Sequence, residues 1–182
     1  MNIMLDLETL SSRPDACIVA IGAATFSDDG SNQDNAFLPR RKFYVAVDPQ
    51  SSQDEGGCIT ARTVQWWAKQ SDAARAALND EFAVGIGEAL RRFATHCSLF
   101  SEPKVWGNGA SFDNVVLRQA YERLGMEAPW TFRNERCYRT LKNLRPDIAF
   151  EPFGTAHNAL DDAIAQARHA ERILAALRGA QP

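Results

Sequence analysis

The chain has 182 residues, of which 45% are hydrophobic and 24% charged, enough for a single domain (residues 1–182) with a full core. No apolar run approaches the roughly 18 residues of a membrane span, and no basic-then-apolar leader opens the sequence, so no membrane contact is expected and the cytoplasm is the expected compartment. Cys17, Cys58, Cys97 and Cys137 include no Cys-x-x-Cys pair, which argues against a zinc site or a disulfide framework. The net charge of −3 and pI near 5.6 count against a non-specific nucleic-acid binder with a basic surface. They leave open an enzyme that reaches phosphates through bound cations.

The first element is a strand over Ile3–Thr9. Side chains alternate faces along a strand, so Leu5 and Leu7 point one way and Asp6 and Glu8 the other. Two carboxylates side by side repel unless both stay hydrated or a cation sits between them. A divalent ion with oxygen ligands, Mg²⁺ or Mn²⁺, would resolve the repulsion. A polar loop, Ser11 to Asp15, follows. Ala16–Phe26 reads as a buried β-branched strand, residues 27–32 as a turn and Lys42–Val47 as a third strand. Short polar connections predict an antiparallel meander.

Asp48–Gly57 shows no periodicity and reads as loop. Thr60 can cap a short helix over Ala61–Gln70. Of Trp66 and Trp67, one is expected in the core, and either could offer a stacking platform to a base. Ser71-Asp72 starts another short helical piece. Phe82, Ile86, Ala89, Leu90 and Phe93 have helical spacing within 81–100. Lys104–Trp106 is a short strand ended by Gly107-Asn108-Gly109. A helix follows from about Ser111 to Leu124, its buried face marked by Leu117, Ala120, Tyr121 and Leu124. Asp113 lies at its start on that inward face, either as a cap to free N–H groups or as a third carboxylate aimed at the first two.

Arg133, Arg136, Arg139, Lys142 and Arg145 form the one basic stretch, either a solvated helix face or a phosphate contact. The last helix is predicted over Asn158–Arg178. At ~100° per residue, Leu160, Ala163, Ile164, Ala167, Leu174 and Leu177 share one arc. Asp162 borders that arc and looks inward, while Asp161 falls with Arg168 and Arg172 in solvent. His157 lies in the loop before the helix.

Four carboxylates converging from distant segments suit a two-metal phosphodiesterase, in which two cations ~4 Å apart clamp the attacking and leaving oxygens. Asp6-Leu7-Glu8-Thr9, Phe112-Asp113 and His157-Asn158-Ala159-Leu160-Asp161-Asp162 resemble the motifs of the DEDDh group of 3′-to-5′ exonucleases. The last of these fits that group's His-x-Ala-x-x-Asp. With Trp-Gly-Asn-Gly-Ala-Ser-Phe-Asp over 106–113, the chain looks most like small phage, prophage and bacterial members. The resemblance spans nearly the whole chain. It departs where many members carry Asn four residues before the second Asp: here Gly109 stands there and Asn108 is one earlier.

The resemblance implies a ribonuclease H-like α/β fold, with a three-strand antiparallel meander and added parallel strands flanked by helices. It implies two Mg²⁺ or Mn²⁺ ions: Asp6 bridging both, Glu8 and Asp162 completing the coordination of the first ion, and Asp113 holding the second directly or through water. His157 would take a proton from the attacking water. Leu7, Thr9, Asn108 and Phe112 would hold the terminal nucleotide, and Arg136 and Arg139 the phosphates. The expected substrate is single-stranded DNA or RNA with a free 3′ end, DNA being favoured, and the product a 5′-mononucleotide. Many relatives pair as dimers, which leaves a homodimer open. The rival readings are a binding-only module and a ribonuclease H-like endonuclease. The first would lack one of Asp6, Glu8, Asp113, His157 or Asp162, and none is missing. The His-x-Ala-x-x-Asp arrangement speaks against the second. A Ser111/His157/Asp hydrolase is not supported, because no nucleophile-elbow pattern surrounds Ser111.

Overall fold

The structure is a computed structural model, and it describes residues 1–28 and 40–179. Its centre is β1 (Asn2–Thr9), which pairs antiparallel with β2 (Ile18–Phe26) and parallel with β4 (Lys104–Gly107). β3 (Lys42–Ala46) continues the meander on the far side of β2, and β5 (Glu135–Cys137) runs parallel to β4. The order β3-β2-β1-β4-β5 makes a mixed sheet: the meander is the one the strand pattern predicts, and the added parallel strands are those the family resemblance implies. The turn expected over 27–32 falls mostly outside the described residues.

Alternation along β1 divides the molecule. Ile3, Leu5 and Leu7 pack on one face with α4 (Ile86–Cys97) and α5 (Asp113–Arg123). Met4 packs on the other with α6 (Tyr138–Leu144) and α7 (Ala159–Gly179). β2 is buried along its whole length, so neither face of the sheet centre meets water.

The approach of α7 to the sheet is unusually close, and small residues allow it. Ala163, Ala167 and Ala170 are fully buried at helical spacing. Gly22, the β2 residue opposite Asp6, has no side chain because a Cβ there would lie 2.1 Å from the carbonyl carbon of Ala159. The start of α7 is thereby pressed onto the sheet beside Asp6.

Three local expectations are corrected. The supposed loop after Asp48 contains α1 (Pro49–Asp54). Asp48 caps it by accepting from the N–H groups of Gln50 and Ser51, and proline takes the first helical position, where no N–H is needed. The helix expected from residue 81 starts only at Ile86, and Phe82 lies outside it, 80% exposed. The basic stretch is not one helix: it passes through β5 before α6 begins. α2 (Ala61–Trp67) and α3 (Asp72–Arg75) lie where their caps predict, although Thr60 spends its hydroxyl on Thr63 and not on the helix backbone.

Candidate active site

At the end of β1 the strand, the loop before α7 and the first turns of α7 meet. One oxygen each from Asp6, Glu8 and Asp162 lies within 4.8 Å of the others. They line a cavity of about 670 Å³ together with Leu7, Trp66, Asn108, Phe112, Tyr138, Arg139, Lys142, Phe150, His157 and Gln166. A smaller cavity of about 200 Å³ adjoins it, sharing Leu7, Glu8, Trp66 and Phe112 and adding Thr9 and Trp67.

The surroundings of these acids disfavour their charge. Burial holds Asp6 well above the ordinary carboxylate range, and the charges of Asp113, Glu8 and Asp162 push it further. Glu8 is pushed up to about 8, by burial first and then by Asp162 and Asp113. Asp162 is also raised by burial, against the pull of the His157 backbone N–H. Three mutually repelling carboxylates with all-oxygen donors fit a hard divalent ion, whose charge would offset the repulsion.

Asp113 is set apart from this trio. It is buried, and both its oxygens are engaged: Oδ1 accepts from the Leu7 N–H (3.2 Å) and Oδ2 from the Asn108 N–H (2.7 Å). Burial raises it to about 6, with those two N–H groups holding it back. Asp113 thus ties α5 to the ends of β1 and β4, and its charge is the one that raises Asp6 most.

His157 is half-buried at the cavity edge in a left-handed backbone conformation, φ 62°. That conformation is costly for a residue with a Cβ. Its N–H donates to Asp162 Oδ2 (3.0 Å). Asn158 Oδ1 accepts from the N–H groups of Leu160 and Asp161, satisfying free donors at the start of α7. Asp161 is not a bare solvent residue. Its Oδ2 accepts from the Thr155 N–H at 2.8 Å, closing the loop that carries His157. Arg168 lies over the Phe153 ring, and Arg172 donates to the Ala149 carbonyl. The segment 148–155 therefore covers the side of α7 expected to be wet.

Of the residues expected at the substrate, Leu7 has its N–H taken by Asp113, and the Thr9 hydroxyl donates to the Ser11 carbonyl (2.7 Å). Phe112 stands between the two cavities. Asn108 lines the larger one, its carbonyl accepting from Arg139 (2.6 Å). Arg136 does not reach the cavity: its guanidinium folds back onto the carbonyls of Arg133 and Glu135 (both 2.8 Å). Lys142, one turn of α6 beyond Arg139, takes its place at the wall.

Gln166 was not singled out by the sequence. It is 5% exposed and donates from Nε2 to Asp6 Oδ1 at 2.8 Å. Its position, four residues after Asp162, was the only available signal.

The chain matches, over residues 1–174, a family described as the 3′-5′ exoribonuclease Rv2179c-like domain. No curated protein matches its sequence. Among solved structures it is similar to the nuclease domain of 3′hExo, a DEDDh family member bound to rAMP. The two share 14% identity at a TM-score of 0.62, over 95% of this chain and 90% of that one. It is similar also to exonuclease X in complex with 5′ overhanging duplex DNA, with 19% identity, a TM-score of 0.60 and coverage of 100% and 95%. A product-bound exonuclease I shares 16% identity at a TM-score of 0.54, over 94% of this chain and 42% of that one. These likenesses are of fold, the ribonuclease H-like mixed sheet.

Proposed function

The chain belongs to the Rv2179c-like 3′-5′ exoribonuclease family and is a DEDDh-type 3′-5′ exonuclease, and from that premise we propose that it removes single 5′-mononucleotides from the 3′ end of single-stranded RNA. The observation that carries the mechanism is the convergence of Asp6, Glu8 and Asp162 beside His157 in one cavity.

Asp6, Glu8 and Asp162 would hold a divalent cation, Mg²⁺ or Mn²⁺. Asp113 would support a second one through the lone pairs its backbone bonds leave free. When bound, such ions neutralise phosphate charge and make water nucleophilic at neutral pH. His157 accepts the proton of the attacking water on a ring nitrogen. Its backbone bond to Asp162 keeps base and ligand in one frame. Arg139 and Lys142 draw the phosphate chain to the wall of the cavity. The Phe112 ring offers apolar surface to the terminal nucleoside. The cavity's modest size favours one unpaired strand over a duplex.

The sequence alone favoured DNA; the family's description supports RNA. The test uses 5′-labelled RNA and DNA of one sequence, each with a free or phosphate-blocked 3′ end, with Mg²⁺, Mn²⁺ or excess chelator. Single-nucleotide shortening of the RNA from a free 3′ end, abolished by chelator, is expected. Internal cuts or digestion from the 5′ end would refute the reaction. Equal rates on DNA would remove the sugar preference, and full activity in chelator would remove the metals.

A further inference from the structure

The tandem tryptophans of α2 have distinct surroundings. Trp67 is buried, and its Nε1 donates to the Thr9 carbonyl at 2.9 Å, which fastens α2 to the end of β1 one residue past Glu8. Trp66 is 42% exposed and lines both cavities. Its ring meets Trp67 edge-on, with centroids 5.1 Å apart and planes at 79°. It meets His157 in the same way, at 4.8 Å and 81°.

That second contact matters because no hydrogen bond from the described residues fixes the His157 ring. Its backbone N–H is bonded to Asp162, but among the described residues no side chain or carbonyl bonds to either imidazole nitrogen. Histidines that move protons usually have one ring nitrogen oriented by an acceptor. Among the described residues, the aromatic neighbours of the ring are Trp66 at 4.8 Å and, more distantly, Trp67 at 6.5 Å, while the charge of Asp162 acts on it without a hydrogen bond to the ring. An imidazole free to rotate about its two side-chain torsions would spend much of its time away from the carboxylates. An indole edge against it removes part of that freedom, and Trp67 keeps the indole itself in place.

We propose that Trp66 is a positioning residue whose indole holds the His157 imidazole in its reactive orientation. The inference rests on His157 acting as the base. It differs from the base-stacking role that an exposed tryptophan in a nucleic-acid cleft also suggests. A stacking platform acts on substrate affinity, whereas a residue that positions the base acts on turnover.

The experiment is steady-state kinetics on single-stranded RNA for wild type, Trp66→Ala, Trp66→Leu, Trp66→Phe, His157→Ala and the Trp66→Ala/His157→Ala double variant, with imidazole NMR of His157. Trp66→Ala and Trp66→Leu should lower kcat about 5- to 10-fold, the scale of one aromatic contact, with KM changed less than 2-fold. Trp66→Phe should restore most of kcat. In the His157→Ala background the Trp66 change should cost nothing further, because the ring it positions is gone. The His157 resonances should broaden or multiply in Trp66→Ala. The two alanine and leucine variants report on the same role, so misfolding of one leaves the other to decide. A rise in KM with kcat intact would overturn the proposal in favour of base stacking. Additive losses in the double variant, or unchanged His157 resonances, would overturn it too. A crippled His157→Ala beside a wild-type Trp66→Ala would sink this inference alone; a fully active His157→Ala would sink the base assignment on which it rests.

Discussion

Gln166 and Asp162 are one helical turn apart on α7 and meet the acids of β1 from the same side, one through a hydrogen bond and the other through charge. The Gln166 amide fixes one oxygen of Asp6, leaving the other for a cation. Gln166→Met keeps the volume and removes the donor. It should weaken Mn²⁺ binding about 10-fold, the scale of a lost bond to a ligating group, as read by isothermal titration, with the thermal midpoint in chelator little changed. Wild-type affinity would leave Gln166 as a core residue only. Asp161 and Asp162 separate by role. Asp162→Asn removes a ligand charge and should lower kcat/KM by more than about 100-fold, close to 3 kcal/mol. Asp161→Asn keeps an acceptor for the Thr155 N–H and should stay within about 3-fold. Asp161→Ala loses that bond and should cost about 1 kcal/mol of stability in urea. Comparable losses for both asparagine variants would contradict this division. Asp6, Glu8 and Asp162 could be placed because strand alternation and helix phase sort charged groups by arithmetic, whereas His157, in a loop, was picked out only by the His-x-Ala-x-x-Asp resemblance. Gln166 was not, because a glutamine on a helix has no charge to betray it. Asp161 was misread because nothing periodic in residues 148–155 shows that they fold over that face.

The basic stretch shows how a change of element re-sorts side chains. Read as one helix, Arg136 and Arg139 share a face; with β5 ending at Cys137 and α6 starting at Tyr138, they part. Glu135 turns to Arg118 and Trp130, Arg136 folds onto backbone carbonyls, and Arg139 and Lys142 reach the cavity at helical spacing. A three-residue strand carries too few positions to show a period of two, so β5 could not be found from pattern. α1 could have been: Asp48-Pro49 is a cap followed by a first-position proline. The consequence for binding is specific. Arg139→Glu and Lys142→Glu should each raise the apparent KM for single-stranded RNA and flatten its dependence on log salt by about 0.7, one phosphate contact on a single strand. Arg136→Glu should leave both unchanged. Equal effects from all three would mean that the stretch acts only as a diffuse positive surface.

For the whole molecule, the two cores follow from β1, whose residues 3, 5 and 7 are apolar and whose residues 6 and 8 are acidic. That pattern made the two faces legible, while the ribonuclease H-like fold was implied by the resemblance of the motifs; the closeness of α7 could not be read, because it depends on one glycine of β2 meeting the first alanine of α7. The same closeness buries the acids, and it makes the metal-free protein sensitive to pH. Asp6, Glu8, Asp113 and Asp162 are all raised by burial, Glu8 to about 8 and Asp113 to about 6. In the unfolded chain such groups titrate near 4. Between pH 4 and pH 8 the folded protein therefore binds more protons than the unfolded one, and stability falls as pH rises. The contribution is fully present below about pH 4 and is lost as pH climbs through the folded values. Glu8 alone places this loss on the order of 4 kcal/mol, or roughly 10 °C in a chain of this size. In chelator, the thermal midpoint should decline from pH 5 to pH 8.5. Saturating Mn²⁺ should remove most of that slope, because a cation favours the ionised acids that the bare fold disfavours. Glu8→Gln should flatten the slope without metal and gain little from Mn²⁺. A midpoint in chelator that is level across this range would show that the acids do not repel one another in the folded chain, and the cation site inferred from their repulsion would lose its physical basis.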